Sequence, residues 1–274
     1  MLRVAYQEVS TGWRYRRLPP GPGVSDTQVV DRLRLWATRL AGAADRQSAV
    51  RFVPETWCRW LAQVPDPQLQ MAATDTDALL RWLEVALPKI DRPHLRHLAT
   101  EGSGPEANLR LFVAVLVWGR GTSNGRMLPH MVRALGAANR DLVLKATAVA
   151  ATERRLAGAY DGWTLPGLRE GFFTKWLWAS GTRSLKPGPV PLVLDSRVWR
   201  SLNNGLGWNS LIAAQSFSWS DRYAAYCETI ARWAAGLSEE GRMVSAEDLE
   251  FGLFYANGKL ERLNTVPAKP CAGS

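Results

Sequence analysis

The sequence predicts a mainly α-helical fold assembled from many short helices. Three observations carry that expectation. Capping signals recur directly ahead of apolar residues spaced three and four apart, one stretch over Leu109–Trp118 is almost wholly apolar, and alternation of period two is scarce. At 274 residues the chain has the size of one large domain or of two helical lobes sharing a cleft.

Each element has a local cause. Ser25-Asp-Thr-Gln28 reads as a capping box, followed by Val29, Leu33, Trp36 and Leu40 at helical spacing. Thr74-Asp-Thr-Asp77 opens a second helix carrying Leu80, Leu83 and Val85. Leu109–Trp118 reads as a central helix buried all round. Residues 127–139 and 142–157 predict two more. Ser218-Trp-Ser-Asp221 opens a helix through Tyr223, Tyr226, Ile230 and Trp233, and Ser245-Ala-Glu-Asp248 opens the last, with Leu249, Leu253 and Phe254. Val190–Leu194 is the main extended segment, and Pro191 argues against a central strand. Residues 18–23 and 184–189 read as linkers, and the tail after about Asn264 is expected to fray.

Composition narrows the class. Hydrophobic residues make up 46%, enough for a packed core. No apolar run reaches the length of a bilayer span, and the first residues lack the apolar region of a signal peptide, so a soluble cytoplasmic protein is expected. Cys58, Cys227 and Cys271 are odd in number and far apart, which supports neither a disulfide framework nor a cysteine zinc site. His94 and His97 lack a third ligand, so no metal and no cofactor is expected. The net charge of +9 favours a polyanion, nucleic acid first. Only six of the 34 basic residues are lysine, so a lysine in an unusual setting merits attention.

Lys175 is such a lysine. The turn Leu165-Pro-Gly-Leu-Arg-Glu-Gly171 leads into the apolar run Phe172-Phe-Thr-Lys-Trp-Leu-Trp178. In a helix its neighbours at −4, −3, +3 and +4 are Gly171, Phe172, Trp178 and Ala179, none of them a carboxylate. A desolvated, unpaired ammonium gives up its proton more readily and becomes a nucleophile. Further on, an apolar stretch delivers Asp195 to what reads as a helix N-cap, where the dipole favours a carboxylate able to face a sugar cation. Between Arg169 and Arg200 six basic residues stand against two acidic ones, and a glycine-bounded turn offers backbone N–H groups to phosphate.

Blander readings exist for each feature. Lys175 can be a surface lysine whose stem covers apolar surface, and Asp195 can be a helix cap alone. Trp163, Phe172, Phe173, Trp176 and Trp178 offer stacking faces for an extruded base, though aromatics mostly fill cores. The loop at 119–126 lacks the Walker lysine and reads as a helix-linking turn whose arginines are free to face a pocket. The basic-aromatic cluster Trp13-Arg-Tyr-Arg-Arg17 reads as a DNA-touching arm, or as a docked or flexible one.

Taken together, Gly171-Phe-Phe-Thr-Lys175, Leu192-Val-Leu-Asp-Ser-Arg-Val198 and Glu250-Phe-Gly-Leu-Phe254 resemble the bacterial 8-oxoguanine DNA glycosylase-like family, itself similar to the helix-hairpin-helix base-excision superfamily. The resemblance covers roughly residues 110–256. It implies a two-lobed, all-α helix-hairpin-helix fold with Lys175 and Asp195 as the catalytic pair. The local positive charge and the glycine-bounded turn point to DNA contacts from Gly167, Arg169, Gly171, Arg183, Lys186 and Arg197. The turn departs from the family's usual Leu-Pro-Gly-hydrophobic-Gly, because Arg169 and Glu170 follow Leu168 and delay the second glycine to Gly171. The expected organisation is an N-terminal helical region (1–109) of unassigned role, a catalytic region (110–264) and a flexible tail (265–274). The implied activity is a monomeric glycosylase and AP lyase that acts through a lysine Schiff base. Its partner is double-stranded DNA bearing an oxidised or otherwise modified base, in base excision repair or phage defence. The alternatives are a non-catalytic DNA-binding or adaptor protein on the same fold, and a helical interaction domain with incidental charge.

Overall fold

The computed structural model describes residues 21–53, 57, 81, 85, 89–121 and 128–267. They are mainly helical. Helix α1 (Asp26–Leu33) starts at the expected capping box, with Gln28 N donating to Ser25 Oγ at 3.3 Å and Ser25 N to Gln28 Oε1 at 3.1 Å. It tightens into a 3-10 turn and continues as α2 (Ala37–Leu40), burying Val29, Leu33, Ala37 and Leu40. Trp36 is only partly buried, because its indole N–H turns to Asn264 Oδ1 at 2.8 Å. Strands β1 (Val50–Arg51) and β2 (Lys89–Ile90) form a two-residue antiparallel pair with Val50 opposite Ile90. Apart from Arg81 and Val85, the helix expected after Thr74 lies outside the described residues, as does the cluster at Trp13–Arg17.

Helix α3 (Arg92–Thr100) is capped by Asp91, which accepts from His94 N at 3.0 Å. The central helix α4 (Pro105–Arg120) buries every residue from Leu111 to Trp118, as its unbroken apolar run requires. Around it pack α3, α6 (Arg140–Thr152) and α8 (Glu170–Gly181), with α5 (Leu128–Leu135) and α7 (Leu156–Asp161) between them in sequence. The second half of the chain adds α9 (Ser196–Arg200), running into a wide π turn, then α10 (Ser210–Ala214), α11 (Trp219–Leu237) and α12 (Ala246–Ala256). Ser245 and Asp248 form a capping box at the predicted start of α12.

Three expectations need correction. The single helix over 142–157 is two helices, broken where Arg154 adopts a left-handed φ of 61°. The strain is offset by its guanidinium, which donates to the carbonyls of Gly181 (3.3 Å), the last residue of α8, and of Ser184 (3.2 Å) and Lys186 (3.5 Å) just beyond it. The linker expected over 18–23 is docked in its described part: Gly21 N and Gly23 N bond to the carbonyls of Trp208 and Gly207. That approach demands glycine, since a Cβ on Gly21 would lie 2.4 Å from the Gly207 carbonyl carbon. The first residues past Asn264 are docked rather than frayed, because Val266 is buried and Arg46 Nε donates to Pro267 O at 2.7 Å, while residues 268–274 lie outside the described residues.

Candidate active site

Two segments bring the predicted pair together. Residues 191–195 run extended but join no described strand, so their backbone groups need other partners. Side chains supply them. Tyr223 and Tyr226 of α11 donate to the carbonyls of Leu192 (2.9 Å) and Val193 (2.8 Å), and Leu194 N donates to Thr174 Oγ1 of α8 at 2.9 Å. Thr174 and Leu194 are the residues just before Lys175 and Asp195. One buried hydrogen bond thus sets the register between the two candidate catalytic residues.

Lys175 and Asp195 line one cavity of about 460 Å³, within the usual range for a small-molecule site. Lys175 is half-buried, with Nζ 5.6 Å from the Phe172 ring centre and 5.8 Å from that of Trp118. Its amine donates to the Gly171 carbonyl one turn back. Burial pushes its pKa below the ordinary lysine value. Asp195 and Glu250 oppose the shift, and Arg92 and Arg197 add to it. Gly119, at the end of α4, leaves the room: a Cβ there would lie 2.9 Å from Phe172 Cε1 and 3.2 Å from Lys175 Cδ. Asp195 is both cap and cavity residue. Its Oδ1 accepts from the backbone N–H of Arg197 (2.7 Å) and Val198 (3.2 Å) at the start of α9.

The opposite partners are ones that the sequence reading left without a role. Arg92 of α3 is 2% exposed and Glu250 of α12 is 1% exposed, and they pair at 2.5 Å (Nη2 to Oε2). Gln47 Oε1 accepts from Arg92 Nε at 3.1 Å, and the guanidinium lies 4.8 Å from the Trp178 ring centre and 5.5 Å from that of Trp118. Burial raises the Glu250 carboxyl from 4.5 to about 7, against the pull of Arg92. Arg92, Glu250 and Gln47 all line the same cavity as Lys175.

The predicted DNA contacts divide. Arg197 is exposed, lines the cavity and places its guanidinium 4.9 Å from the Phe254 ring centre. Gly167 has φ +82° in the turn between α7 and α8, where a Cβ would meet His130 O at 2.7 Å. Arg169 is exposed at the N-cap of α8, while Gly171 lies inside that helix rather than closing the turn. Arg183 points inward: Nε donates to Ala99 O and Nη1 to Asn108 Oδ1, both at 2.8 Å. Lys186 is exposed on the loop after α8. Arg169, Arg183 and Lys186 do not line the cavity.

Of the five aromatics singled out, Trp163, Phe173, Trp176 and Trp178 are buried, and Phe172 is partly buried against Lys175. The aromatics that line the cavity are Trp118 and Phe254. The Cys227 thiol is buried and pushed up to about 12, which keeps it inert. Among the described residues, no three His, Cys, Asp or Glu side chains are placed to hold a metal, and no helix is long and apolar enough to cross a membrane.

Residues 43–254 match the family model described as "Putative 8-oxoguanine DNA glycosylase OGG-like protein", and a match over so much of the chain places the chain in that family. The matched span begins well before residue 110, where the sequence resemblance starts, and takes in Gln47 and Arg92 of the cavity wall. No curated protein and no solved structure matches the chain.

Proposed function

We propose that this protein is a DNA glycosylase with AP lyase activity. It removes an oxidised or otherwise modified base from double-stranded DNA, in base excision repair or in defence against phage. The observation that supports this most is the convergence of Lys175 and Asp195 on one cavity, their neighbours Thr174 and Leu194 joined by a hydrogen bond. A binding module or adaptor has no use for a partly dehydrated amine facing a carboxylate. In this reading the damaged nucleotide swings out of the duplex into the cavity. The Lys175 amine attacks C1′, and Asp195, fixed by the start of α9, stabilises positive charge on the sugar as the base leaves. The resulting imine lets the strand break by β-elimination. The turn between α7 and α8, with Gly167 pressed against α5, acts as the hairpin that docks on phosphate, aided by Arg169 and Arg197.

The test is covalent. Borohydride reduces a lysine imine to a stable adduct, so wild-type protein should become linked to abasic or lesion-bearing duplex. Lys175→Ala should abolish that adduct while duplex binding, spread over many basic side chains, largely survives. Undiminished trapping by Lys175→Ala would show that another amine is the nucleophile.

A further inference from the structure

The Lys175–Asp195 scheme leaves a proton unassigned. An ammonium cannot attack C1′, so Lys175 must lose a proton, and the departing base nitrogen must gain one. Asp195 is poorly placed to carry it, since its Oδ1 is taken by two backbone N–H groups at the head of α9. The cavity holds a second carboxylate, Glu250, flanked in α12 by the buried Leu249, Phe251 and Leu253.

Resting on the reading of Lys175 as nucleophile, we propose that Glu250, oriented by Arg92, is the proton carrier of this site, taking the proton that Lys175 sheds and delivering it to the departing base. The step balances. An N–H bond of the Lys175 ammonium breaks and its proton joins the Glu250 carboxylate. The freed lone pair forms the C1′–N bond. The glycosidic bond breaks with its electron pair on the base, and Glu250 returns the proton to that base, ending as a carboxylate again. The base leaves neutral and the positive charge stays on the new sugar–lysine amine.

Three observations support this. Glu250 and Lys175 line one cavity, on α12 and α8. The pair at 2.5 Å fixes Glu250 Oε2 on Arg92, whose guanidinium is itself held by Gln47 and stacked on Trp178. Burial shifts the lysine down and the glutamate up, so the ion pair and the neutral pair approach each other in energy. The charged and titratable groups around Glu250 are Arg92 from α3, Arg120 from α4, Lys175 from α8, Asp195 and Arg197 at the start of α9, Tyr226 and Cys227 from α11, and Glu247 of its own helix, which also pairs with Arg92 at 3.8 Å. Tyr226 and Cys227 are buried and pushed upward, so they stay neutral through the working range.

The experiment compares single-turnover excision from a duplex carrying 8-oxoguanine with borohydride trapping on an abasic duplex, each against pH. Trapping needs the free amine but no departing base. In Glu250→Gln, excision should fall roughly a hundredfold, the usual scale for a lost proton donor. Trapping should persist, with its midpoint moved to lower pH because an anion has left the surroundings of Lys175. A structural counter-ion to Arg92 would lower both in step, and that result overturns the proposal. The wild-type profile decides the matter if the glutamine variant does not fold. Excision should pass through a maximum and decline at alkaline pH, where the last proton shared by Lys175 and Glu250 is gone. Excision that climbs without decline up to the ordinary lysine value of 10.5, below which burial holds Lys175, overturns it. A Glu250→Gln variant that traps on abasic duplex with an unmoved pH midpoint also counts against Glu250 and leaves Lys175 standing. Failure of trapping itself overturns the nucleophile instead.

Discussion

Replacing Thr174 by valine tests whether one hydroxyl aligns the site. Thr174 is fully buried, and its Oγ1 makes two bonds: it donates to Glu170 O at 2.5 Å and accepts from Leu194 N at 2.9 Å. The first is dispensable, because Glu170 O also lies within reach of the helical N–H four residues on. The second is the one acceptor seen for a buried amide on a segment that joins no described strand. Valine keeps the shape and strands that amide, which costs about 1–3 kcal/mol. For a chain of this size that corresponds to a fall in Tm of roughly 2–12 °C, at about 2–4 °C per kcal/mol. The effect on chemistry should be larger than the fold requires. Leu194 precedes Asp195, and a displacement near 1 Å at a reacting centre costs on the order of a hundredfold in rate. Urea unfolding with an unchanged m value would report the stability term, and single-turnover excision the rate. Thr174→Ser keeps the hydroxyl while losing a methyl, so it should recover most of the rate with a comparable loss of stability. Valine and serine variants of equal activity would refute the claim that this bond sets the Lys175–Asp195 register.

Other perturbations follow from the same geometry. Asp195→Asn retains an oxygen to cap α9 but loses the charge, so excision should drop by roughly a hundredfold, worth about 3 kcal/mol, while a gel-shift titration shows duplex affinity held or raised. Gly119→Ala drives a methyl to 2.9 Å from Phe172 Cε1 and 3.2 Å from Lys175 Cδ; trapping should weaken, and Phe172→Ala in the same chain should restore part of it. Glu250 also leaves a mark on stability. Its folded value is raised from 4.5 to about 7, so the folded state holds the extra proton and the stability it contributes is lost as pH rises from about 5 through 7. Denaturation midpoints should fall across that window in the wild type and fall less in Glu250→Gln.

Much of this protein was legible along the chain, for a local reason. Capping is decided within four residues, which is why Ser25 with Gln28, Ser245 with Asp248, and Asp195 all sit where the sequence puts helix starts. The unusual setting of Lys175 was legible too. With no carboxylate one turn away, its amine turns to the Gly171 carbonyl and to aromatic faces. That Lys175 and Asp195 share a site was implied by the resemblance of their two segments to the glycosylase-like family, and both do line one cavity.

What the sequence could not disclose depends on packing between distant segments. Arg92 meets Glu250 across 158 residues, a pairing that neither residue's neighbours in the sequence announce. Arg154 breaks a helix whose composition favours continuing, because carbonyls at and just beyond the end of α8 need its donors. Arg183 looked as available to phosphate as Arg197, yet one is consumed by α3 and α4 while the other is exposed at the cavity. Whether a long charged side chain faces solvent, a partner or a cavity depends on which segments fold over it, and spacing along the chain holds no record of that. The chain itself thus determined where helices begin and which lysine stands out; the tertiary structure decided which carboxylates and guanidinium surround that lysine, because only packing sets their burial and their distance.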